Sequence, residues 1–390
     1  MRTVGVVTVA RSDFSIYRPV LRRIMGDAEL RLNLMVSGMH LSPEFGYTVR
    51  EIEAEGFPIA ERVETLLSSD TAEGVAKSIG LGVIGFGQVF ARSHLDILVV
   101  LGDRFEMYAA AVAALPFRLP VAHIHGGEVT TGAMDEGLRH SITKLSHLHF
   151  VAAQAYADRV ERMGEEPWRV IISGAPSLDN LHDLPLLSSR ELEVLLGFSV
   201  DQPFILATYH PATLAEEDAS WQVEELLAAL ETADLPTVFT LPNADPEGRK
   251  IAEMIRRFVA THPSARLVEN LGTQAYFSVM AAAAAMVGNS SSGIIEAASF
   301  KLPVVNVGSR QEGRIRGPNI IDVDYARSAV LGGIRQAMDP VFSHSLDSIA
   351  NPHGEGEAAQ VIVERLKSVP LDRRLVAKRF YDEARETVQH

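Results

Sequence analysis

Short runs of Val, Ile and Leu recur along the chain at helix-length intervals, and most end in glycine or polar residues. Continuous apolar runs of this kind are typical of strands that are buried on both faces of a parallel sheet. Eleven such runs occupy residues 3–10, 31–38, 96–103, 120–127, 147–153, 169–176, 203–211, 236–243, 265–270, 284–291 and 303–309. The runs form two successive series, and these predict an α/β protein with two Rossmann-like, doubly wound domains.

The chain length also favours two domains, because 390 residues exceed what one hydrophobic core usually supports. Gly, Pro and Ser cluster at residues 173–189, between the two series of runs. We therefore expect an N-terminal domain over residues 1–178 and a C-terminal domain over residues 179–370. Residues 371–390 have the pattern of a charged amphipathic helix, which we expect to pack back on the first domain.

Composition excludes several classes of protein. A net charge of −14 argues against a nucleic-acid-binding surface, where basic side chains supply most of the affinity. The absence of cysteine excludes disulfides and thiolate catalysis and agrees with a cytoplasmic location. The first residues lack the pattern of a signal peptide, and the alanine-rich run at residues 279–288 is shorter than the roughly twenty residues of a membrane span. We expect a soluble protein that binds neither nucleic acid nor membrane.

Polar clusters follow several of the apolar runs, namely ARSDFS, GDRFE, HIHGGE, YHP, LPNAD and GNSSSG. In open α/β sheets, ligands bind beyond the carboxyl ends of the strands. In a protein with two such domains, these clusters are therefore expected to face one cleft between the domains.

The stretch VGNSSSGIIEAASF predicts a strand, a hydroxyl-rich loop and a helix. The N-terminus of such a helix offers free backbone N–H groups to an anion, and Ser290 and Ser291 add hydroxyl donors. Gly293 would let a phosphate approach the backbone, and Glu296 could accept hydrogen bonds from ribose hydroxyls. The alternative is that the serines simply cap the helix. The segment is not a GxxxxGK[ST] loop, so it gives no support for a site for Mg-ATP.

The stretch HIHGGEVTTGAMDEGLRH brings acids, histidines and an arginine together. His123 and His125 alternate along a strand and share one face, and the following Gly-Gly turn presents Glu128. Asp135 and Arg139 are four residues apart and share a helix face. Carboxylates beside an arginine favour acid–base chemistry at carbon. A metal held by the two histidines and the glutamate is the less favoured alternative.

The remaining clusters supply further candidates, each weak by itself. In GDRFE, Asp103 is in a position to cap the following helix, while Arg104 could hold a phosphate or orient an acid. The first cluster contributes Arg11, Asp13 and Ser15. The YHP cluster contributes His210, and a lone histidine is more often structural than catalytic.

Together, GDRFE, HIHGGE, DEGLRHSITKLSH, YHP and GNSSSGIIEA resemble the hydrolysing UDP-N-acetylglucosamine 2-epimerase family of the sialic acid and legionaminic acid pathways. The resemblance covers nearly the whole chain and implies a glycosyltransferase-B-type fold with no cofactor and no metal. It places the catalytic groups at Asp103, Glu128 and Asp135, with His210 as a further candidate. The contacts to substrate and nucleotide would come from Arg11, Asp13, Ser15, Arg104, Arg139, Ser290, Ser291, Gly293 and Glu296.

The implied reaction converts UDP-N-acetylglucosamine to N-acetylmannosamine and UDP, by elimination to a glycal and rehydration. The first alternative is the same reaction on a UDP- or GDP-linked 2,4-diacetamido-trideoxyglucose. The later alternatives for the function are, in this order, a non-hydrolysing 2-epimerase, a glycosyltransferase and a non-catalytic nucleotide-sugar-binding regulator. His125 stands where the family commonly has a glutamate, which leaves the sugar open. We expect a homo-oligomer, either a dimer or a tetramer.

Overall fold

The computed structural model describes residues 1–67, 71–130, 134–210, 218–241, 248–268 and 271–382. The chain divides into two compact units. Unit 1 comprises Met1–Glu128, Met134–Asp179 and Gly356–His390. Unit 2 comprises Val129–Ala133 and Asn180–Glu355.

Thirteen strands are formed within the described residues. They are β1 (Arg2–Thr8), β2 (Leu30–Ser37), β3 (Ile59–Val63), β4 (Ile97–Leu101), β5 (Val121–Ile124), β6 (Leu148–Val151), β7 (Val170–Ile172), β8 (Ile205–Thr208), β9 (Thr237–Thr240), β10 (Ala265–Val268), β11 (Ala285–Gly288), β12 (Val304–Val307) and β13 (Ile320–Val323).

The same part of the chain forms sixteen α-helices. They are α1 (Arg11–Gly26), α2 (Val49–Ala54), α3 (Ala72–Arg92), α4 (Phe105–Ala114), α5 (Met134–Leu145), α6 (Gln154–Arg162), α7 (Asn180–Asp183), α8 (Ser189–Leu196), α9 (Ala219–Ala233), α10 (Gly248–Thr261), α11 (Gly272–Ala282), α12 (Ser291–Ile295), α13 (Arg327–Ala337), α14 (Pro340–Ser345), α15 (Ala358–Ser368) and α16 (Arg373–Val376).

Unit 1 is built on a sheet of seven strands in the order β3-β2-β1-β4-β5-β6-β7, and all its strand pairs are parallel. The apolar strands β1 and β4 contribute fully buried valines, such as Val6 and Val99, to a continuous core. Helices connect the strands, as parallel pairing requires. The predicted α/β architecture is confirmed for this unit.

Unit 2 repeats this architecture with six strands in the order β10-β9-β8-β11-β12-β13, again all parallel. Apolar side chains form two clusters of buried residues, one including Val287 and Val305, the other Met286 and Val304. Because neighbours along β11 and β12 enter different clusters, the strands are buried on both faces. This explains why their sequences are apolar without alternation.

The chain returns to unit 1 earlier than the sequence predicts. The second domain was expected to extend to residue 370, but the boundary falls at Gly356. The reason is that α15 buries Ile362, Val363 and Leu366 in the core of unit 1, which also contains Leu21 of α1.

The helix predicted over residues 371–390 is only partly borne out in the described part of this segment. Arg373–Val376 is helical and residues 377–382 are not, while residues 383–390 lie outside the described residues. Backbone and side-chain bonds to unit 1 hold this segment instead. Arg169 donates to the carbonyls of Leu375 and Arg374, and Lys378 Nζ donates to the carbonyl of Ser146.

Helix α3 has 21 residues, and an 18-residue stretch of it has a mean hydropathy of 1.4, so by length and composition alone it could cross a membrane. It is longer than the alanine-rich run at residues 279–288. One such helix is weak evidence for a membrane span, because the core helices of soluble proteins have the same length and composition. Phe86, Val89 and Phe90 of α3 belong to the core of unit 1.

Candidate active site

The turn after β4 places Asp103. Gly102 has a left-handed φ of 73° and lets the chain leave the strand, after which Arg104 occupies the N-cap position of α4. Asp103 therefore does not cap this helix, which was one of its two predicted roles. Its carboxylate Oδ2 instead accepts a hydrogen bond from Arg139 Nη2 of α5.

The loop after β5 places His125 and Glu128. Gly127 has a φ of 75°, and a Cβ at this position would lie 2.5 Å from the carbonyl oxygen of Tyr156, so the turn requires glycine. The imidazole Nδ1 of His125 lies 2.5 Å from Oε1 of Glu128. Glu128 is only 3% exposed. The loop thus holds a histidine–carboxylate pair that is almost fully buried.

Arg139 connects these two loops. Its Nη1 donates to the carbonyl of His125 at 2.8 Å and lies 4.0 Å from Oε2 of Glu128, while Nη2 pairs with Asp103. Burial alone would lower the pKa of Arg139, but the negative charges of Asp103, Glu128, Glu136 and Asp135 hold it above its usual value. The predicted candidates Asp103, Glu128, Asp135 and Arg139 therefore form one cluster in unit 1.

The side chain of His123 does not contact the carboxylates of this cluster, and both of its ring nitrogens have other partners. Its Nδ1 lies 3.2 Å from the hydroxyl of Thr143, and its Nε2 lies 2.8 Å from the carbonyl of Gly102. Burial lowers the pKa of His123 to about 3, so the ring is neutral and structural. Within the described ranges, no group of three or more His, Asp or Glu side chains has the arrangement of a metal site.

The first predicted cluster divides into a buried and an exposed part. The carboxylate of Asp13 accepts hydrogen bonds from the hydroxyl of Thr8 and the backbone N–H groups of Val9 and Ala10. Burial raises the pKa of Asp13 to about 7, although these hydrogen bonds and the charge of Arg104 oppose the rise. Asp13 therefore closes the turn between β1 and α1.

The two other candidates at the start of α1 are less buried than Asp13. Arg11 is exposed at the first position of the helix. Ser15 is half-buried, and its hydroxyl donates to the carbonyl of Ser12 at 2.8 Å. Of the three candidates in ARSDFS, Arg11 is the one whose charged group is open to a ligand.

The structure adds polar residues beside this turn that sequence reasoning missed. Glu106 is 1% exposed and lies 3.4 Å from Arg104 Nε. His40 is fully buried between the hydroxyls of Thr8 and Thr48. Burial lowers the pKa of His40 to about 4, with the charge of Arg104 adding to the effect. The position of Glu106 within GDRFE was the one available signal.

In unit 2, the serine-rich loop follows β11 as predicted. Ser290 is the N-cap of α12, and its hydroxyl accepts from the N–H of Ser292 at 3.3 Å. The helix has only five residues, so its dipole adds little to anion binding. Gly293 is buried, and a Cβ there would lie 2.9 Å from Val304 Cγ1. Helix–sheet packing therefore explains this glycine without a ligand.

His210 follows β8 and is held through its backbone. Its N–H donates to Oδ1 of Asn289 at 2.7 Å, and its carbonyl accepts from Nδ2 of Asn289 at 2.8 Å. Burial, together with the charge of Arg310, lowers the pKa of His210 well below its usual value, so the ring is neutral. Glu296, which is 8% exposed, is the C-cap residue of α12.

Arg310 is a further residue of this loop region that the sequence analysis missed. Its Nη1 donates to the carbonyl of Asn289 at 3.1 Å, which places a cation beside the serine loop. Its position just after the apolar run at residues 303–309 was a usable signal, because the other clusters also follow such runs.

A family model described as UDP-N-acetylglucosamine 2-epimerase matches residues 22–367. The chain belongs to this family. The relatives include a UDP-N,N′-diacetylbacillosamine 2-epimerase (hydrolyzing) of Legionella pneumophila, 38% identical over 97% of this chain and 99% of the relative. A GDP/UDP-N,N′-diacetylbacillosamine 2-epimerase (hydrolyzing) of Campylobacter jejuni is 39% identical over 82% and 84% of the two chains. A UDP-N-acetylglucosamine 2-epimerase of Neisseria meningitidis is 32% identical over 86% and 88%.

The fold of this family member is also that of a solved structure. The UDP-GlcNAc 2-epimerase of Neisseria meningitidis bound to UDP-GlcNAc superimposes with a TM-score of 0.81, at 18% identity, over 94% of this chain and 99% of the other. The predicted resemblance and the glycosyltransferase-B-type fold with two Rossmann-like units are both confirmed.

Proposed function

We propose that this chain is a hydrolysing nucleotide-sugar 2-epimerase that acts on a nucleotide-linked 2,4-diacetamido-trideoxy sugar. The observation that carries the proposal is the cluster on Arg139, which joins Asp103 and Glu128 at the ends of two neighbouring strands, with Asp135 in the first turn of α5. Such a cluster supplies acid–base groups, whereas a nucleotide-sugar transferase or a binding protein has no need of several carboxylates around one buried arginine.

The chemistry requires more than one acid–base group. In the first step a base removes the proton on C2, the C–H electron pair forms the C1=C2 bond, and the C1–O bond breaks to release the nucleoside diphosphate. In the second step water adds its hydroxyl to C1, and a proton reaches C2 on the opposite face. Because removal and delivery of the proton take place on different faces, two separately placed groups are needed.

Sequence identity supports a diacetamido sugar as the substrate over UDP-N-acetylglucosamine, which the family resemblance alone placed first. The relatives named for diacetylbacillosamine, a 2,4-diacetamido-trideoxy sugar, are 38% and 39% identical to this chain, and the relative named for UDP-N-acetylglucosamine is 32% identical. UDP-N-acetylglucosamine is therefore the second candidate. The nucleotide, UDP or GDP, stays open.

A panel assay tests this proposal. The purified protein is incubated separately with UDP-diacetylbacillosamine, GDP-diacetylbacillosamine and UDP-N-acetylglucosamine, and free nucleoside diphosphate and the released sugar are measured. We expect stoichiometric release without an acceptor, a sugar inverted at C2, and the highest kcat/KM with a diacetamido substrate. A higher kcat/KM with UDP-N-acetylglucosamine would reassign the substrate, and a 2-epimer still linked to its nucleotide would overturn hydrolysis.

Replacing both Ser290 and Ser291 with alanine is expected to raise KM for the nucleotide sugar strongly and to change kcat less. The reason is that the two hydroxyls lie in a strand-end loop beside the guanidinium of Arg310, where a diphosphate would find both donors and a cation. Calorimetric titration with the nucleoside diphosphate measures the effect directly. Wild-type affinity in the double variant would remove this loop from the site.

Activity is expected to survive exhaustive treatment with EDTA. His123 and His125 do not offer two free nitrogens to a metal ion. Nδ1 of His123 contacts the hydroxyl of Thr143, and its Nε2 contacts the carbonyl of Gly102. Nδ1 of His125 contacts Glu128. Nucleoside diphosphate release is measured before and after dialysis against the chelator. A loss of activity that one divalent ion restores would revive the metal alternative.

A further inference from the structure

The backbone of His125 is held in a conformation that side chains rarely adopt. Its φ is 63°, in the left-handed region, although it is not a glycine. Two bonds fix it there: its N–H donates to the carbonyl of Phe150 at 3.0 Å, and its carbonyl accepts from Arg139 at 2.8 Å. Strained residues that neighbouring groups hold in place cluster at active sites. The side chain of His125 is thus aimed by the fold.

The two ring nitrogens of His125 have different surroundings. Nδ1 lies 2.5 Å from Oε1 of Glu128. Nδ1 therefore carries the ring proton and donates a hydrogen bond to the carboxylate. Nε2 then bears the lone pair. Across the described ranges it has no protein partner, and it is not among the unpaired polar atoms that are sealed from solvent. His125 therefore presents a basic nitrogen to solvent from an almost fully buried ring.

The neighbouring acid–base candidates are placed less favourably for taking a proton. Oδ2 of Asp103 accepts from the guanidinium of Arg139, and both oxygens of Glu128 lie within 4.0 Å of a donor on His125 or Arg139. A carboxylate that is already bonded to a cation is a weak base. Neutral imidazole is a stronger base near pH 7 than an ordinary carboxylate.

We propose that His125 is the catalytic base that removes the C2 proton, and that Glu128 is its positioning residue. This inference rests on the proposed function. The Nε2 lone pair takes the proton from C2, the C–H electrons form the C1=C2 bond, and the nucleoside diphosphate leaves with the electrons of the C1–O bond. The imidazolium keeps its Nδ1–H bond to Glu128 and afterwards releases the Nε2 proton to water.

The charges around the ring suit this role. Glu128 is the negative charge in direct contact with the imidazolium. Arg139 lies next to Glu128, and the positive charge of Arg139 is balanced by Asp103. His123, the other titratable group of the strand, is neutral because burial lowers its pKa to about 3. Glu128 is therefore the charged group that pairs directly with the ring when it carries a second proton.

The first test replaces His125 with glutamine, which keeps polarity and approximate size but has no basic nitrogen. We expect kcat for nucleoside diphosphate release to fall by about 10²–10⁴-fold, the usual contribution of a positioned base, while KM and the thermal midpoint change little. His94→Gln is the matched control, because His94 is exposed in the loop before β4, and it should retain wild-type kcat.

The second test replaces Glu128 with glutamine and measures kcat/KM against pH. Loss of the carboxylate charge removes the partner that stabilises the imidazolium, so we expect the acid limb of the profile to move to lower pH, with a reduced plateau. A purely structural role for Glu128 would lower the plateau without moving the limb. This variant keeps the proposal testable if His125→Gln fails to fold.

The outcomes separate the two proposals. If the wild-type protein releases nucleoside diphosphate and folded His125→Gln does so at a similar rate, the base assignment is overturned and the function stands. An acid limb that stays in place in Glu128→Gln overturns the pairing. If the wild-type protein hydrolyses no nucleotide sugar in the panel, the function fails, and the role of His125 fails with it.

Discussion

Replacing Arg139 with methionine is expected to abolish detectable turnover and to lower the thermal midpoint of unfolding. Arg139 is 3% exposed and is the cation shared by Asp103 and Glu128. Removing one partner of a buried ion pair usually costs about 3–5 kcal/mol of stability, because the remaining charge is left uncompensated. The carbonyl of His125 would also lose its donor, so the loop that carries the proposed base would no longer be fixed.

Two further variants separate charge from geometry at this position. Arg139→Lys keeps the charge but lacks the planar fork that reaches both the His125 carbonyl and Asp103, so we expect most of the stability to return and little of the activity. Arg162→Met is the matched control, because Arg162 is exposed on α6, and it should change neither property measurably. Wild-type kcat and thermal midpoint in Arg139→Met would contradict the central role of this residue.

Replacing Asp135 with asparagine is expected to lower kcat for formation of the epimerised sugar by about 10²–10⁴-fold while the substrate still binds. Asp135 is half-buried in the first turn of α5, and its charge acts on Arg139. With His125 proposed on one face of the sugar, Asp135 is the candidate that delivers a proton to C2 on the other. If elimination proceeds and hydration stalls, the variant should release nucleoside diphosphate and a glycal in place of the epimerised sugar, which mass spectrometry detects.

The neighbouring carboxylate provides the comparison for Asp135. Glu136 is the next residue of α5 and lies 3.0 Å from Nε2 of His140, so Glu136→Gln should reduce kcat by less than about tenfold. In D₂O the wild-type enzyme should place deuterium at C2 of the product, because the proton added there comes from solvent. Retention of the substrate hydrogen at C2 would rule out elimination, and wild-type kcat in Asp135→Asn would remove this residue from the chemistry.

Most strands were predictable because their sequences are apolar. All eleven apolar runs overlap a strand, whereas β3 and β13 were missed. These two strands have the sequences IAERV and IIDV, and each has a charged side chain exposed to solvent. Both are edge strands, where such charges are permitted and interrupt the apolar run, but the edge strands β7 and β10 were still predicted.

The spacing of residues predicted some neighbours in the candidate site but not the contacts between segments. The four-residue spacing placed Asp135 and Arg139 on one helix, as the structure also has them, and their roles stay predictions. The bond between Arg139 and Asp103 joins helix α5 to the turn after β4, and no local sequence pattern relates these two segments. The His125–Glu128 contact depends on a left-handed histidine and a glycine turn. Asp13 closes a turn, a role that the sequence did not indicate, and its contact to a ligand stays a prediction.

The return of the chain to unit 1 at Gly356 has a consequence for biosynthesis. The core of unit 1 includes Ile362 and Leu366 of α15 and Leu375 of α16, which are among the last described residues to leave the ribosome. Unit 2 lies almost entirely within Asn180–Glu355 and is fully synthesised before them. The N-terminal part of unit 1 therefore cannot complete its core until unit 2 has been translated, and the apolar surface that α15 and α16 will cover stays exposed during that time. Premature termination before α15 would leave that surface open to aggregation or proteolysis.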